Sequence, residues 1–289
     1  MDGASLGILF GLIAMVGYGL DHAIMKVPLK SLGVRKTIFF RNIFLSALLF
    51  AVLALFWQDA VFSQYYLLIA VGIALIGYIG LASFAKGLRV GKAGVVTPIA
   101  NSSLVFTILF AVAFFSEALT PIQLLAIALI IAGIILESVN FRHFKESGIL
   151  SPSSGIPFAL LTCLLWGLIY FLLKIPVTVL GPILTSFVFE LGILVFSGAG
   201  MLITRKPFGG VNRKMIPYLA LVGIFGALGT VFFNLGITYA SVSIIAALTA
   251  ANPLVTVLYG RLAYKDRLNA KQYLALLLMV AGVAAIALY

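Results

Sequence analysis

Ten runs of about 20 mainly apolar residues fill this chain almost end to end, and that length and character are what a helix needs to cross the hydrocarbon layer of a bilayer. They lie at approximately 5–25, 37–57, 65–86, 94–115, 121–139, 156–175, 182–204, 216–236, 241–263 and 271–288. With 63% hydrophobic and 9% charged residues, 289 residues have too little polar surface to cover a soluble globule. The expected fold is an all-α integral membrane protein of ten transmembrane helices, with the lipid bilayer as its first partner. Connections such as 116–120 and 237–240 are so short that successive helices must be antiparallel neighbours.

The formal net charge is +11, but its placement excludes nucleic acid as a partner. Of 19 Lys and Arg residues, 17 fall in or beside the odd-numbered connections, Lys174 alone lies on the other side, and Arg41 is inside the second run. Cytoplasmic connections collect Lys and Arg, so the odd-numbered connections are expected in the cytoplasm and both termini outside, in a plasma or inner membrane. Cys163 is the single cysteine, which rules out an intramolecular disulfide. Met1-Asp2-Gly3 offers no basic segment ahead of the first run, which is therefore expected to be a retained span.

The chain also repeats itself. Gly19, Lys26, Pro28 and Gly33 return at a shift of 148 as Gly167, Lys174, Pro176 and Gly181. One residue further on in register, Gly77, Gly80, Phe84 and Gly87 return as Gly226, Gly229, Phe233 and Gly236, and Leu119, Gln123 and Gly133 as Leu268, Gln272 and Gly282. This predicts a first five-helix repeat over 1–140, a cytoplasmic linker over 141–154 and a second repeat over 155–289. Five is odd, so the second repeat is expected upside down relative to the first, the arrangement that allows a carrier to open alternately to either side.

Two five-helix units, each with an aromatic-Gly pair and a Lys in its first helix, resemble the EamA-type, ten-helix branch of the drug/metabolite transporter superfamily. Trp166-Gly167 with Lys174 is close to that family's first-helix signature, and Tyr18-Gly19 with Lys26 is a milder variant. Ser116-Glu117-Ala118-Leu119-Thr120 with Gln123 and Gly133 is similar to the signature of the fourth and fifth helices, Asp266 standing in for Glu in the second copy. The resemblance implies a secondary carrier of small metabolites, often an exporter of amino acids or related compounds, without an ATP-binding part. It also implies termini inside the cell, where the local charge signal, a direct property of this chain, places them outside.

Ionisable groups at membrane depth are costly unless paired or wet, which makes each a candidate site residue. Tyr18, His22 and Lys26 share one helix face, and their equivalents Trp166, Tyr170 and Lys174 share another. Both stripes fit a cavity wall in which rings pack on a substrate and Lys attracts its anionic group, and both equally fit packed rings with lysines snorkelling to the helix ends. Asp21 and Arg41 lie at similar depth and are expected to pair; Asp21, His22 and Glu190 are the proton-coupling candidates. Glu190 is the equivalent of Arg41, with Lys174 as its expected partner. Arg41, Asn101, Asn234 and Asn252 complete the substrate-binding candidates, with Thr97, Thr230, Thr238, Thr249 and Thr256 nearby; these polar groups fit interhelical hydrogen bonds as well. Pro98 and Pro253 are the bending candidates.

Gly3-Ala4-Ser5-Leu6-Gly7 fits a hydrolase pattern but opens a membrane helix instead of following a strand. Asn101-Ser102-Ser103 fits a glycosylation acceptor but lies inside the fourth run. There is no phosphate-binding glycine loop and no metal-ligand spacing, so neither an enzyme nor a cofactor is expected. The reading is a secondary active transporter that exports or exchanges small zwitterionic or anionic metabolites, amino acids first, by alternating access, with a central cavity formed by the first, third and fourth helices of each repeat. The alternatives are a sugar-phosphate or nucleotide-sugar exchanger and a non-transporting membrane receptor. Proton coupling stays open, as does oligomeric state.

Overall fold

The computed structural model describes residues 2–57, 60–91, 93–138, 151–205, 207–265 and 268–288, which are helical apart from short connections, with no β-strand among them. In chain order the helices are α1 (Gly3–Leu55), α2 (Gln64–Val90), α3 (Ala93–Asn101), α4 (Ser103–Phe115), α5 (Pro121–Ser138), α6 (Ile156–Leu172), α7 (Lys174–Leu180), α8 (Pro182–Ile203), α9 (Ile216–Tyr239), α10 (Val242–Ala250), α11 (Pro253–Tyr264) and α12 (Ala270–Leu288). Among the described residues, eight helical segments are long and apolar enough to cross a membrane, and Pro121–Glu137 is a shorter apolar helix. The expected linker falls mostly on 139–150, outside the described residues, as does Asp266; Pro152–Ser154 forms one 3-10 turn.

One of the eight segments, α1, holds two of the apolar runs. Its 53 residues would extend about 80 Å as one rod, more than twice a hydrocarbon layer. It breaks at Gly33, where φ is 76° and ψ is 176°, a backbone conformation almost reserved for glycine. Thus the first connection, expected as a loop, is a one-residue break between two helical halves. Gly181, its equivalent, has φ 80° and ψ 163° and divides α7 from α8 in the same way. The recurrence of this glycine is therefore a backbone requirement.

The fourth helix of each repeat is also broken at equivalent places. In the second, a 3-10 step follows Ala250 and α11 restarts at Pro253; in the first, α3 ends at Asn101 and α4 begins at Ser103. The N–H of Val105 donates to Ser102 O at 3.0 Å, and that of Leu254 donates to Ala251 O at the same distance. Pro253 sits at its break, where a missing N–H is harmless. Pro98 lies within α3, ahead of the break, so the first copy breaks without a proline at the junction.

Gln123 and Gln272 recur because both close capping boxes. The Thr120 N–H donates to Gln123 Oε1 at 3.0 Å while the Gln123 N–H donates to Thr120 Oγ1 at 3.2 Å; Asn269 and Gln272 repeat the exchange at 3.2 and 2.9 Å. Glu117, from the signature before α5, reaches across to the other repeat. Its carboxylate accepts from the N–H groups of Val242 and Ser243 at 2.7 and 3.0 Å and from the Ser243 hydroxyl at 2.7 Å, capping α10.

The two repeats pack reciprocally. α1 lies against α9, α10 and α11, and α6 lies against α2, α3 and α4; α5 packs on α12. The close approaches match residue for residue. A Cβ at Gly19 would fall 2.5 Å from Val255 Cβ and 2.9 Å from Asn252 O, and one at Gly167 would fall 2.5 Å from Phe106 Cβ and 2.9 Å from Ser103 O. Thr256 Oγ1 donates to Gly19 O at 3.0 Å, and its equivalent Thr107 donates to Gly167 O at 3.2 Å. In each repeat the first helix is locked against the fourth helix of the other by one glycine and one threonine.

Candidate functional site

Where the two repeats meet, a cavity of about 60 Å³ lies among Tyr18, Asp21, His22, Arg41, Trp166, Tyr170 and Glu190, closed by apolar side chains such as Leu81, Phe189 and Ile193. That volume admits a few waters and is several-fold below the roughly 300 Å³ at which organic-ligand sites begin. The walls come from both halves of α1 and from α2, α6 and α8. The fourth helices and α9, the third helix of the second repeat, expected here, do not line it; the fourth helices instead hold α1 and α6 at Gly19 and Gly167. The second helices take their place with Arg41, Phe189, Glu190 and Ile193.

Four rings cross the seam in an ordered way. His22 stacks on Trp166, with centroids 5.7 Å apart and planes at 10°, and Tyr18 meets Tyr170 edge-on at 6.4 Å. The chain numbers ascend on α1 while they descend on α6, so the two helices run in opposite directions where they touch. Tyr18 is the equivalent of Trp166, and His22 of Tyr170; each residue thus meets the equivalent of its neighbour, the contact pattern of a two-fold axis. Phe84 at 5.1 Å from His22 and Phe233 at 4.8 Å from Tyr170 extend the symmetry.

The charges do not share that symmetry. Arg41 Nη2 donates to Asp21 Oδ2 at 2.8 Å, with both side chains 4% exposed. Glu190, the equivalent of Arg41, accepts from Asn42 Nδ2 at 2.9 Å and from Thr230 Oγ1 at 2.6 Å. The Thr230 proton is committed to Glu190, so the Tyr18 hydroxyl, 3.2 Å from Thr230 Oγ1, donates to it. One guanidinium therefore serves two buried carboxylates. Asp21 Oδ1 and Arg41 Nε, both buried, have no hydrogen-bond partner among the described residues. Such orphaned groups are costly at membrane depth, and they sit on the wall of this cavity.

Two wider concavities flank it. One of about 810 Å³ is lined by Lys30, Gly33, Arg35, Lys36, Lys86 and Arg89, and it approaches the inner cavity closely, since Ile38, Tyr78 and Ala82 line the wide one within a turn of Arg41, Gly77 and Leu81. The other, about 430 Å³, is lined by Tyr66, Phe115, Glu117, Lys174, Ile175 and Thr178 and is separated from the inner cavity at Leu173 and Lys174. Three concavities thus follow one another along the seam.

The sequence candidates divide accordingly. Tyr18, Asp21, His22, Arg41, Trp166, Tyr170 and Glu190 converge on the inner cavity. Lys26 is exposed and does not line it; Lys174 donates to Ile237 O at 3.1 Å, which corrects the expected pairing with Glu190. Two helical turns separate each Lys from the first ring of its stripe, about 12 Å of rise, which carries the ammonium past the cavity. Asn101, Asn234 and Asn252 are buried but also do not line it. Asn234 Nδ2 donates to Ser186 Oγ at 2.8 Å, which ties α9 to α8, whereas Asn252 Nδ2 donates to Thr249 O at 3.0 Å within its own broken helix. Asn42 is the site residue that sequence reading missed, although it adjoins Arg41 inside an apolar run, where a second polar residue was itself a signal.

No curated protein matches this chain. A protein known from its crystal structure superposes with a TM-score of 0.78 over 96% of this chain and 95% of its own, at 16% identity, a likeness that shows the fold alone. The family model of the EamA-like transporters matches twice, over residues 5–139 and 153–288, and together the two matches cover nearly the whole length. This integral membrane protein of two helical repeats belongs to the EamA-like transporter family, whose members move small molecules across membranes.

Proposed function

We propose that this protein is a proton-coupled, alternating-access carrier of small zwitterionic or anionic metabolites, amino acids first, working by export or exchange. Its ten spans form two inverted five-helix repeats, the second beginning near residue 155. The observation that carries the reading is the reciprocal, opposite-running contact of Tyr18 and His22 with Tyr170 and Trp166, directly over a cavity with an excess carboxylate. Reciprocity between helices running in opposite directions needs an axis across them, hence in the membrane plane, the symmetry used by carriers that rock around a fixed midplane site. The order of the three concavities supports a route along the same seam, pinched shut at its centre in this conformation.

The four rings pack on the solute, Arg41 takes its carboxylate, and Asp21 and Glu190 face its ammonium or hold a proton when it is absent. With both carboxylates ionised the cluster carries one net negative charge, which a bilayer interior penalises by several kcal/mol; a proton or an ammonium removes it. That competition couples the two. Glu190 is the better carrier of the proton, since Asp21 already holds Arg41. The breaks beside Pro253 and beyond Pro98 are bending points, and the Lys- and Arg-rich end faces the cytoplasm, which puts both termini outside.

Counterflow in proteoliposomes tests this. Labelled amino acid should accumulate against unlabelled substrate in the wild type, and a proton gradient should drive net uptake. Glu190→Gln and Asp21→Asn should each uncouple flux from the gradient. Binding without flux would mean a receptor, uptake indifferent to the gradient in the wild type would remove proton coupling, and gradient-driven uptake surviving in both variants would remove Asp21 and Glu190 as the coupling groups.

A further inference from the structure

We infer that the wide mouth at the Gly33 break is an anion site that recognises phosphate oxygens, carried either by a soluble phosphorylated solute or by a lipid headgroup. This goes beyond the carrier reading and does not depend on it. The mouth is a cavity of about 810 Å³ lined by Lys30, Arg35, Lys36, Lys86 and Arg89, with no carboxylate in its lining among the described residues. A bias of Lys and Arg toward one membrane face explains their presence at this end, but not their convergence on one concavity, where five like charges repel across a space not much wider than a Debye length.

Little of that charge is engaged by the protein. Lys36 Nζ donates to Gly209 O at 2.7 Å, and Lys86 Nζ lies 4.4 Å from the centre of the Phe158 ring. Lys30, Arg35, Lys86 and Arg89 are exposed to the cavity. The Gly33 break adds a second source of positive potential. The second half of α1 restarts there, a helix start leaves its first N–H groups without intrahelical acceptors, and Val34, Arg35 and Lys36 of that first turn line the same cavity. A monocarboxylate would neutralise one of the five cations, whereas a phosphate monoester carries nearly two charges and three acceptor oxygens. Arg35 and Arg89 supply the planar forks that suit such a group.

The other repeat shows that the fold does not require these charges. It keeps the break at Gly181, but the positions equivalent to Lys30, Lys86 and Arg89 are Thr178, Leu235 and Thr238, and 183–185, opposite Arg35 and Lys36, are neutral.

The test is binding, read without any flux. Protein in nanodiscs of phosphatidylcholine alone is titrated with inorganic phosphate; in a second arm, protein is exposed to phosphatidylglycerol and the retained lipid is counted by native mass spectrometry. Arg35→Gln, Lys86→Gln and Arg89→Gln are combined and compared with Arg205→Gln, Arg213→Gln and Lys214→Gln combined, which removes equal charge outside the cavity. We expect the first triple variant to weaken binding about tenfold or more and the second about twofold or less. An effect in the phosphate arm marks a solute site, and one in the lipid arm marks a headgroup site. Equal effects of the two triple variants, or binding in neither arm, would overturn the inference. Should the triple variant not fold, Arg35→Gln and Arg89→Gln singly should each weaken binding about threefold, and single variants indistinguishable from wild type would overturn it as well.

Discussion

At Gly33 and Gly181 the two repeats break with nearly the same backbone angles, and the first helix of each leans on the fourth of the other through the same glycine and threonine. Around that shared frame the chemistry differs. The first break stands in a basic concavity, the second among neutral residues; Arg41 in the second helix of one repeat answers to Glu190 in the other. Duplication has kept what the backbone needs and let the polar groups diverge. The frame and the site should therefore respond differently to substitution at equivalent positions.

The largest expected effect sets Arg41 against Glu190. Arg41→Gln strands two buried carboxylates, and removing one partner of a buried pair costs about 3–5 kcal/mol. Glu190→Gln removes the excess charge and leaves Asn42 and Thr230 a carbonyl to donate to, so its stability should lie within about 1 kcal/mol of wild type. Chemical unfolding in detergent micelles measures both. Equal losses at the two positions would mean that the cluster is charge-balanced in some other way.

Next come Gly19→Ala and Gly167→Ala, which should behave as a pair. Each new methyl meets a Cβ at 2.5 Å and a carbonyl oxygen at 2.9 Å, so each should lose up to about 3 kcal/mol, and by similar amounts. A large loss at one and none at the other, in the same unfolding assay, would break the claim of a symmetric frame.

How much of this was legible beforehand follows the same division. The spans, the repeat and the register of Gly33 with Gly181 could be read from the chain, because hydrophobic length and glycine placement are imposed locally, by the bilayer and by backbone sterics. The convergence of Tyr18, His22, Trp166 and Tyr170 could also be read, since spacing of four puts residues on one helix face. Spacing does not say which face looks at the seam, and so Asn101, Asn234 and Asn252 are expected at a cavity whose lining they do not join; Asn234 instead ties α9 to α8. Nor does spacing give depth, hence the misplacement of Lys26 and Lys174. The break at Ser102 has no proline to announce it; only its counterpart beside Pro253 did.

Smaller effects should follow at the two breaks. Gly33→Ala and Gly181→Ala meet no crowding: at Gly33 the nearest atom to a new Cβ is Arg89 Nη1 at 3.8 Å, and at Gly181 nothing lies within 4 Å. Only the positive φ resists an L side chain, so each should cost about 1–2 kcal/mol. Thermal melting compares them directly. Matching shifts fit two breaks that serve the backbone alone; a much larger loss at Gly33 would tie that break to the basic mouth around it.

The smallest change probes where frame and site overlap. Tyr18 belongs to the frame through its ring, which lies over Gly229 and meets Tyr170, and to the site through its hydroxyl, which donates to Thr230. Tyr18→Phe keeps the first and removes the second, so stability should fall by only about 0.5–1.5 kcal/mol. Thr230 would then lose a donor while still donating to Glu190 at 2.6 Å, which alters the hydrogen bonding around that carboxylate. The pH at which gradient-driven flux is half-maximal should therefore move in Tyr18→Phe proteoliposomes. An unmoved midpoint together with the small stability loss would confine Tyr18 to the frame and leave Glu190 to be set by Asn42 and Arg41 alone.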